Sequence, residues 1–189
     1  MGNHLGVAAS GSAEVTQSAV DILEAGGNAF DAVLGALCTA SIAEPLLASL
    51  GGGGFLLALA EGGKPTVYDF FCQTPARRRP QDETEFYPIL ANFGAAELEF
   101  HIGLGSSAVP GVVAGIFEAH RDLGRMPMAE IMAPAIELAR CGVEVDAFHH
   151  YVIRILQPIM TATPESFALY ESPDRPGSLI SEGELLRNP

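Results

Sequence analysis

Positive charge is scarce in this sequence. Ten Lys and Arg stand against 23 Asp and Glu over 189 residues, a formal net charge of −13. A chain this acidic repels a phosphate backbone and an anionic membrane surface, so nucleic acid and membrane are not expected as partners. The longest basic run, Arg77-Arg78-Arg79, reads as a solvated loop. Long hydrophobic runs are missing as well. The most apolar stretch, residues 29–43, is interrupted by Asp31, Thr39 and Ser41, and it falls short of the ~20 residues of a membrane span. The opening MGNHLGVAAS has neither the charged start nor the apolar centre of a secretory signal. A cytoplasmic protein is the expectation, or a periplasmic or secreted one whose signal has been removed.

Cysteine is sparse: Cys38, Cys72 and Cys141 are odd in number and widely spaced. They fit neither a disulfide framework nor a CxxC metal site. Cys38 falls in an apolar helical pattern and reads as a small core residue. No HExxH and no GxSxG occurs, and no serine or cysteine pairs with a histidine at a recognisable spacing. His101 and His120 are isolated, and His120, on the apolar face of its helix, reads as a hydrogen-bonded boundary residue. His149 and His150 are adjacent and do not converge on one metal on a helix; one reads as surface and the other as boundary. No metal, no cofactor and no catalytic residue is expected in these residues.

What is present is apolar and rich in glycine. Hydrophobic residues make up 48% of the chain, enough for a sizeable core in a single domain over 1–189. Val7–Ala9 reads as a short strand. Ser12 caps a helix that runs to about Ala25 and stops at Gly26-Gly27, and Asn28 caps a second, AFDAVLGALCTASIA, that ends before Pro45. The second is apolar nearly all round and should be buried on most sides. FLLALA, the turn EGGK and PTVYDFF read as a hairpin of buried strands. Residues 76–105 show no period and read as a long irregular connection. From Val109 the residues Val112, Val113, Ile116, Phe117, His120 and Leu123 share one helical face, with Pro110 in the first turn and Gly124 at the stop. A helix over 128–140 should be kinked or divided by Pro134, another spans about 146–159, and 161–189 reads as an irregular tail. The order of elements predicts an α+β layered domain rather than a doubly wound sheet.

The four glycines Gly51–Gly54 lead into a strand, with no following Lys-Ser or Lys-Thr. They therefore lack the setting of a phosphate loop or a dinucleotide fold. They read instead as a corner where backbones approach closely.

Several stretches together resemble the γ-glutamyltranspeptidase family, in the N-terminal part of its large subunit. They are ILEAGGNAFDAVLGA (22–36), EPLLASLGGGGFLLAL (44–59), YDFFCQTP (68–75) and SSAVPGVVAGIFEAHRDLGRMPMAEIMAPAIELARCGVEV (106–145). The resemblance implies an N-terminal-nucleophile hydrolase with an αββα four-layer sandwich, only part of it present in this chain. It implies a precursor that cleaves itself into large and small subunits. The threonine exposed at the start of the small subunit would then attack a γ-glutamyl amide such as glutathione, with its own α-amine as base. Water or an amino acid would accept the glutamyl group. None of Thr16, Thr39, Thr66, Thr74, Thr84, Thr161 and Thr163 lies in the family's processing motif, so these residues by themselves are expected to be inactive. The partners implied are the remainder of the large subunit, the small subunit that carries the threonine, and a small γ-glutamyl substrate. Without such a partner the sheet would expose apolar surface, and self-association is expected.

One departure bears on substrate. Family members end the second hairpin strand in D-x-R-E-x-A-P, whose arginine binds the α-carboxylate of the glutamyl group. Here the stretch reads Asp69-Phe70-Phe71-Cys72-Gln73-Thr74-Pro75. Phe71 stands at the arginine and Cys72 at the glutamate, which makes Phe71, Cys72 and Gln73 the candidate substrate-binding residues. A phenyl ring offers no bidentate grip on a carboxylate. Another cation could serve, with Arg77, Arg78 or Arg79 nearest in sequence. The acyl group could differ, as in the acylase relatives of this superfamily, or Phe71 could be core. A non-catalytic binding module is the alternative from another class.

Overall fold

The computed structural model describes residues 6–187; the first five residues of the opening segment and the last two of the tail lie outside them. The chain divides into two compact units, one made of residues 6–73 and 109–141, the other of residues 74–108 and 142–187.

The first unit rests on two helices whose ends are set by local chemistry. Helix α1 (Ala13–Glu24) begins where Ser12 Oγ accepts the Val15 N–H at 3.2 Å. It ends on Gly26 at φ +96°, with Gly26 N–H donating to Leu23 O and Gly27 N–H to Ile22 O at 2.9 Å. Only glycine takes that dihedral without strain, which is why the helix stops there. Helix α2 (Ala29–Ala43) follows at once under a capping box. Asn28 Oδ1 accepts the Phe30 and Asp31 N–H groups, and Asp31 Oδ2 accepts the Asn28 N–H at 2.8 Å.

Asp31 does more than cap. It is wholly buried. Its Oδ1 accepts the Arg125 N–H at 3.0 Å and its Oδ2 the Met126 N–H at 3.3 Å, while Asn28 Nδ2 donates to Leu123 O at 2.8 Å. These bonds tie the start of α2 to the turn after the third helix. A second polar tie is buried between α1 and α2, where Thr39 Oγ1 donates to Ser18 Oγ at 2.9 Å.

Strands β1 (Phe55–Ala58) and β2 (Thr66–Asp69) form an antiparallel hairpin with Leu57 opposite Val67. Leu56, Tyr68 and Phe70 turn inward onto the core. The sequence predicts both faces buried, and only one is. Phe55 is 64% and Leu57 70% exposed, and Leu59 and Val67 lie open on the same face. Period-2 alternation of two apolar sets gives a strand that can be covered on both sides; within this unit helices cover one. Helix α3 (Val112–Leu123) packs on β2 and α2 through Val112, Gly115, Ile116 and Ala119. Its predicted face was broader: Val113 and Phe117 point outward, and Val109 and Pro110 precede the helix. His120 is a bonded boundary residue as expected, its Nε2 2.8 Å from Met126 O.

The helix expected over 128–140 breaks at Met132 into α4 (Met128–Ile131) and α5 (Ala133–Cys141). Pro134, lacking an N–H, fits the first turn of a new helix rather than the middle of an old one. Leu34, Ile131, Ile22, Ile116 and Cys38 close the core around α2, and burial pushes the Cys38 thiol up from its ordinary pKa. Val7–Ala9, expected as a strand, joins no sheet.

In the second unit, residues 76–105 are not an irregular connection. Strands β3 (Tyr87–Asn92) and β4 (Glu97–Ile102) pair antiparallel across their full length, Asn92 opposite Glu97. The loop closes through Gly94 at φ +85°, whose N–H donates to Asn92 Oδ1 at 2.7 Å. Most of the hairpin is exposed on both faces, so no alternation marked it; Ala91 is buried. Strand β5 (Val143–Glu144) precedes α6 (Ala147–Ile155), capped by Asp146, whose Oδ1 accepts the His149 N–H at 2.7 Å. That bond, helped by the His149 ring, holds the Asp146 carboxyl below the usual range. Neither His149 nor His150 is a surface residue; both are half-buried. The helix expected over 146–159 is interrupted at Leu156 by Pro158, which starts α7 (Gln157–Met160).

The segment expected as an irregular tail is ordered through residue 187. Thr163 Oγ1 accepts the Ser166 N–H at 3.1 Å and starts α8 (Pro164–Tyr170). Strand β6 (Leu185–Leu186) pairs with β5. Glu184 gathers the turn between them: it accepts the Ser172 hydroxyl, Arg175 Nη2 at 2.8 Å and the Ser181 N–H at 2.6 Å. The Ser172 bond first, then Arg175, holds its carboxyl below the usual range.

Asp31→Asn keeps the shape and turns one acceptor into a donor facing N–H groups. The substitution should lower stability by about 1–3 kcal/mol, read as a shift of the urea midpoint. Glu24→Gln, at an exposed position of α1, should stay within about 0.5 kcal/mol of the parent.

Candidate functional site

The candidate residues sit where β2 leaves the sheet. Phe70 turns inward and lies over Gly111 and Gly115 of α3's first turns: a Cβ on Gly115 would stand 2.3 Å from Phe70 Cγ, and one on Gly111 2.1 Å from Phe70 O. With Phe70 fixed inward, strand alternation turns Phe71 out. Its ring, 54% exposed, stacks on Phe55 with centroids 5.5 Å apart and planes 16° apart. Asp69 Oδ1 accepts the Phe71 N–H at 3.0 Å and so rigidifies the exit. Gln73 is held by a backbone pair with Val109, N–H to O distances 3.0 and 2.8 Å, so the chain leaves and re-enters this unit side by side.

The four glycines lie against this exit. Gly54 continues the ladder to Phe70. A Cβ on Gly53 would fall 2.3 Å from Cys72 N and 2.8 Å from Phe71 C, both backbone atoms. Gly52 O accepts the Gly111 and Val112 N–H groups at 3.0 and 3.2 Å and thereby caps α3, which has no side-chain cap. The run is thus a close-approach corner, as its sequence setting implies.

Phe71 and Gln73 line a cleft of about 520 Å3 along β2 and α3; Cys72 does not, lying half-buried beneath Gly53. Its charged walls are Asp69, Glu118 and Asp122, and no Lys or Arg lines it. Tyr68 Oη donates to Asp122 Oδ2 at 3.2 Å; burial, then Asp122, raises the phenol above its ordinary pKa. Arg121 is held at the acids, 3.0 Å from Asp122 and 3.5 Å from Glu118. An anion entering this cleft meets carboxylates and aromatic rings rather than a cation. Arg77, Arg78 and Arg79 are exposed and belong to the other unit. Among the described residues no cluster of His, Cys, Asp or Glu could hold a metal ion, and no helix is long and apolar enough to cross a membrane. Phe55 and the acid pair on α3 were not singled out from sequence. Phe55 meets Phe71 through the hairpin register, and neither it nor the acids carried a sequence signal.

Residues 15–189 match the family model Gamma-glutamyltranspeptidase. The glutathione hydrolase proenzyme of Escherichia coli K12 is 36% identical over 142 residues, 75% of this chain and 23% of that protein. The acylase ACY 1 proenzyme of Pseudomonas sp. SE83 is 32% identical over 132 residues, 67% of this chain and 23% of that one. Among solved structures, the Helicobacter pylori gamma-glutamyltranspeptidase superposes with a TM-score of 0.80 at 21% identity, over all of this chain and 52% of its own. The chain therefore spans about a quarter of those curated relatives and about half of that structure.

Gly53→Ala should cost about 1–3 kcal/mol, the range for overpacking against atoms that cannot move aside. Gly51→Ala, whose Cβ would meet nothing closer than Ser49 Oγ at 3.5 Å, should cost much less. Urea midpoints of the two variants decide it.

Proposed function

The chain belongs to the gamma-glutamyltranspeptidase family, and on that premise we propose that it forms the scaffold and one pocket wall of an enzyme that hydrolyses or transfers γ-glutamyl groups of glutathione-like amides. It has the family's N-terminal-nucleophile hydrolase fold, an αββα sandwich of which it carries a part. The carrying observation is the corner in which Gly52 and Gly53 fix the exit of β2 against the start of α3. That exit is where the family's D-x-R-E-x-A-P pattern falls, so Phe71 and Gln73 face the substrate in this reading, and Cys72, expected with them, is turned away beneath Gly53. The nucleophile is a threonine of a small subunit, outside these residues, which forms an acyl-enzyme that water or an amine resolves. The remainder of the large subunit and the small subunit are the partners. The bare apolar face of Phe55, Leu57, Leu59 and Val67 supports a second sheet layer over this one.

A second reading rests on Phe71. Phe71 stacks on Phe55, and the acid-lined cleft beside it presents no Lys or Arg to an α-carboxylate. An enzyme built this way suits a different acyl amide, one without that charge, and an acylase proenzyme stands among its relatives. A non-catalytic module would keep the corner and turn over neither class.

Residues 1–189 by themselves should give no turnover of γ-glutamyl-p-nitroanilide above buffer; measurable p-nitroaniline release would refute the placement of the nucleophile elsewhere. The complete protein, carrying its small subunit, separates the two enzymatic readings. A γ-glutamyl anilide cleaved faster than the glutaryl anilide by about tenfold or more indicates a carboxylate-and-amine reader supplied from elsewhere. Equal or inverted kcat/KM indicates the acylase reading, and Phe71→Arg should then shift the ratio toward γ-glutamyl.

A further inference from the structure

The second unit contains a cleft of opposite character to the one beside Phe71. Its volume is about 290 Å3, and it opens between α6–α7, Phe167 of α8 and the Gly177–Ile180 segment. His150, Arg154, Gln157 and Thr161 follow one another at helical spacing along one wall. Ile153, Phe167, Leu179 and Ile180 supply the apolar part, with Ile153 and Ile180 fully buried. No Asp or Glu lines it, in a chain where acids outnumber bases by more than two to one. Glu171, bonded to the lining residue Gly177, is engaged with that N–H at 2.7 Å.

The polar groups here are donors without work. The Arg154 guanidinium has no ion-pair or hydrogen-bond partner among the described residues, whereas those of Arg121 and Arg175 are both ion-paired. His150 Nδ1 is buried and unpartnered. An orphaned lone pair costs less than an orphaned N–H, so the neutral ring keeps its proton on Nε2, which becomes a donor. Thr161 Oγ1 donates to Gln157 O at 2.9 Å and is thereby spent. The free set is a guanidinium, an imidazole N–H and the Gln157 amide.

We propose that this cleft binds a small organic carboxylate, with its carboxylate on Arg154 and His150 and its apolar body against Phe167 and Leu179. A planar guanidinium matches a carboxylate through two parallel N–H bonds. The apolar wall favours an organic acid over a bare inorganic ion, since phosphate would leave Phe167 and Leu179 uncovered and gain nothing from them. The proposal is independent of the enzymatic reading above.

Isothermal titration of the full chain with hexanoate, hexanamide and inorganic phosphate tests it, with 15N chemical shifts locating the response. Hexanoate should bind with a Kd of about a millimolar and shift Arg154, His150 and Phe167 resonances. Arg154→Gln, an exposed change that should leave the melting temperature in place, should weaken it by about tenfold. Phe167→Ala should weaken hexanoate while leaving acetate unchanged. Hexanamide binding as tightly as hexanoate, hexanoate binding undiminished by Arg154→Gln, phosphate binding more tightly than hexanoate, or no heat and no shifts up to about 20 mM would each overturn it.

Discussion

The buried carboxylate of Asp31 is the contact on which the first unit depends. One side chain accepts three backbone N–H groups, from Asn28, Arg125 and Met126. Two of those lie more than 90 residues away in sequence. A helix N-terminus concentrates unsatisfied donors and favours negative charge, so a first-turn aspartate is stabilised even when wholly buried. Removing it would orphan donors in the interior rather than lose a surface bond. Through it the start of α2 is fixed relative to the turn after α3, and α3 in turn carries the floor under Phe70. The packing of sheet on helix beside the candidate site is therefore anchored at a cap.

Close approach does the remainder. A Cβ on Gly35 would lie 2.1 Å from Ile22 Cδ1, one on Gly115 2.3 Å from Phe70 Cγ, and one on Gly53 2.3 Å from Cys72 N. At each, a helix or loop backbone is brought within reach of its neighbour, and no other residue fits without displacing it. The same geometry explains why Phe71 is exposed: Phe70 turns inward over Gly115, and the strand gives its successor to the other face.

What could be read from the sequence follows the range of the interaction. Caps act over three residues, so Ser12, Gly26-Gly27 and Asn28 marked helix ends correctly. Pro134 was visible as a residue that kinks or divides its helix, and it divides it; Pro158 was passed over inside the helix expected over 146–159, and it too begins a new helix, because a ring without an N–H is tolerated only in a first turn. The β3–β4 hairpin escaped because its two faces are both mostly solvated and carry no period. Gly53 and Gly115 were legible as small residues, but their partners Cys72 and Phe70, 19 and 45 residues distant, were not. Phe71 stood out only by comparison with a family pattern. That it stacks on Phe55 depends on hairpin register, which a turn of several residues does not specify from sequence.

Charge divides the two clefts more sharply than shape does. In the first unit Asp69, Glu118 and Asp122 line the space beside Phe71, and the nearby Arg121 is neutralised by two of them. The energy of an anion there is raised by each uncompensated carboxylate at a few ångströms, and solvent screens the effect only in part. The second unit reverses this, with an unpaired Arg154 and no lining acid. A glutamyl group carries both an amine and a carboxylate. The acid wall beside Phe71 suits the amine and opposes the carboxylate, so in the proposed reading an enzyme that binds both must bring its cation from outside this cleft. If none arrives, the same wall and the Phe55–Phe71 stack select an acyl group with no α-carboxylate. On the reading proposed above, phenylalanine at the position of the family's arginine is not neutral: it would transfer the choice of substrate to whatever covers the open face of this hairpin.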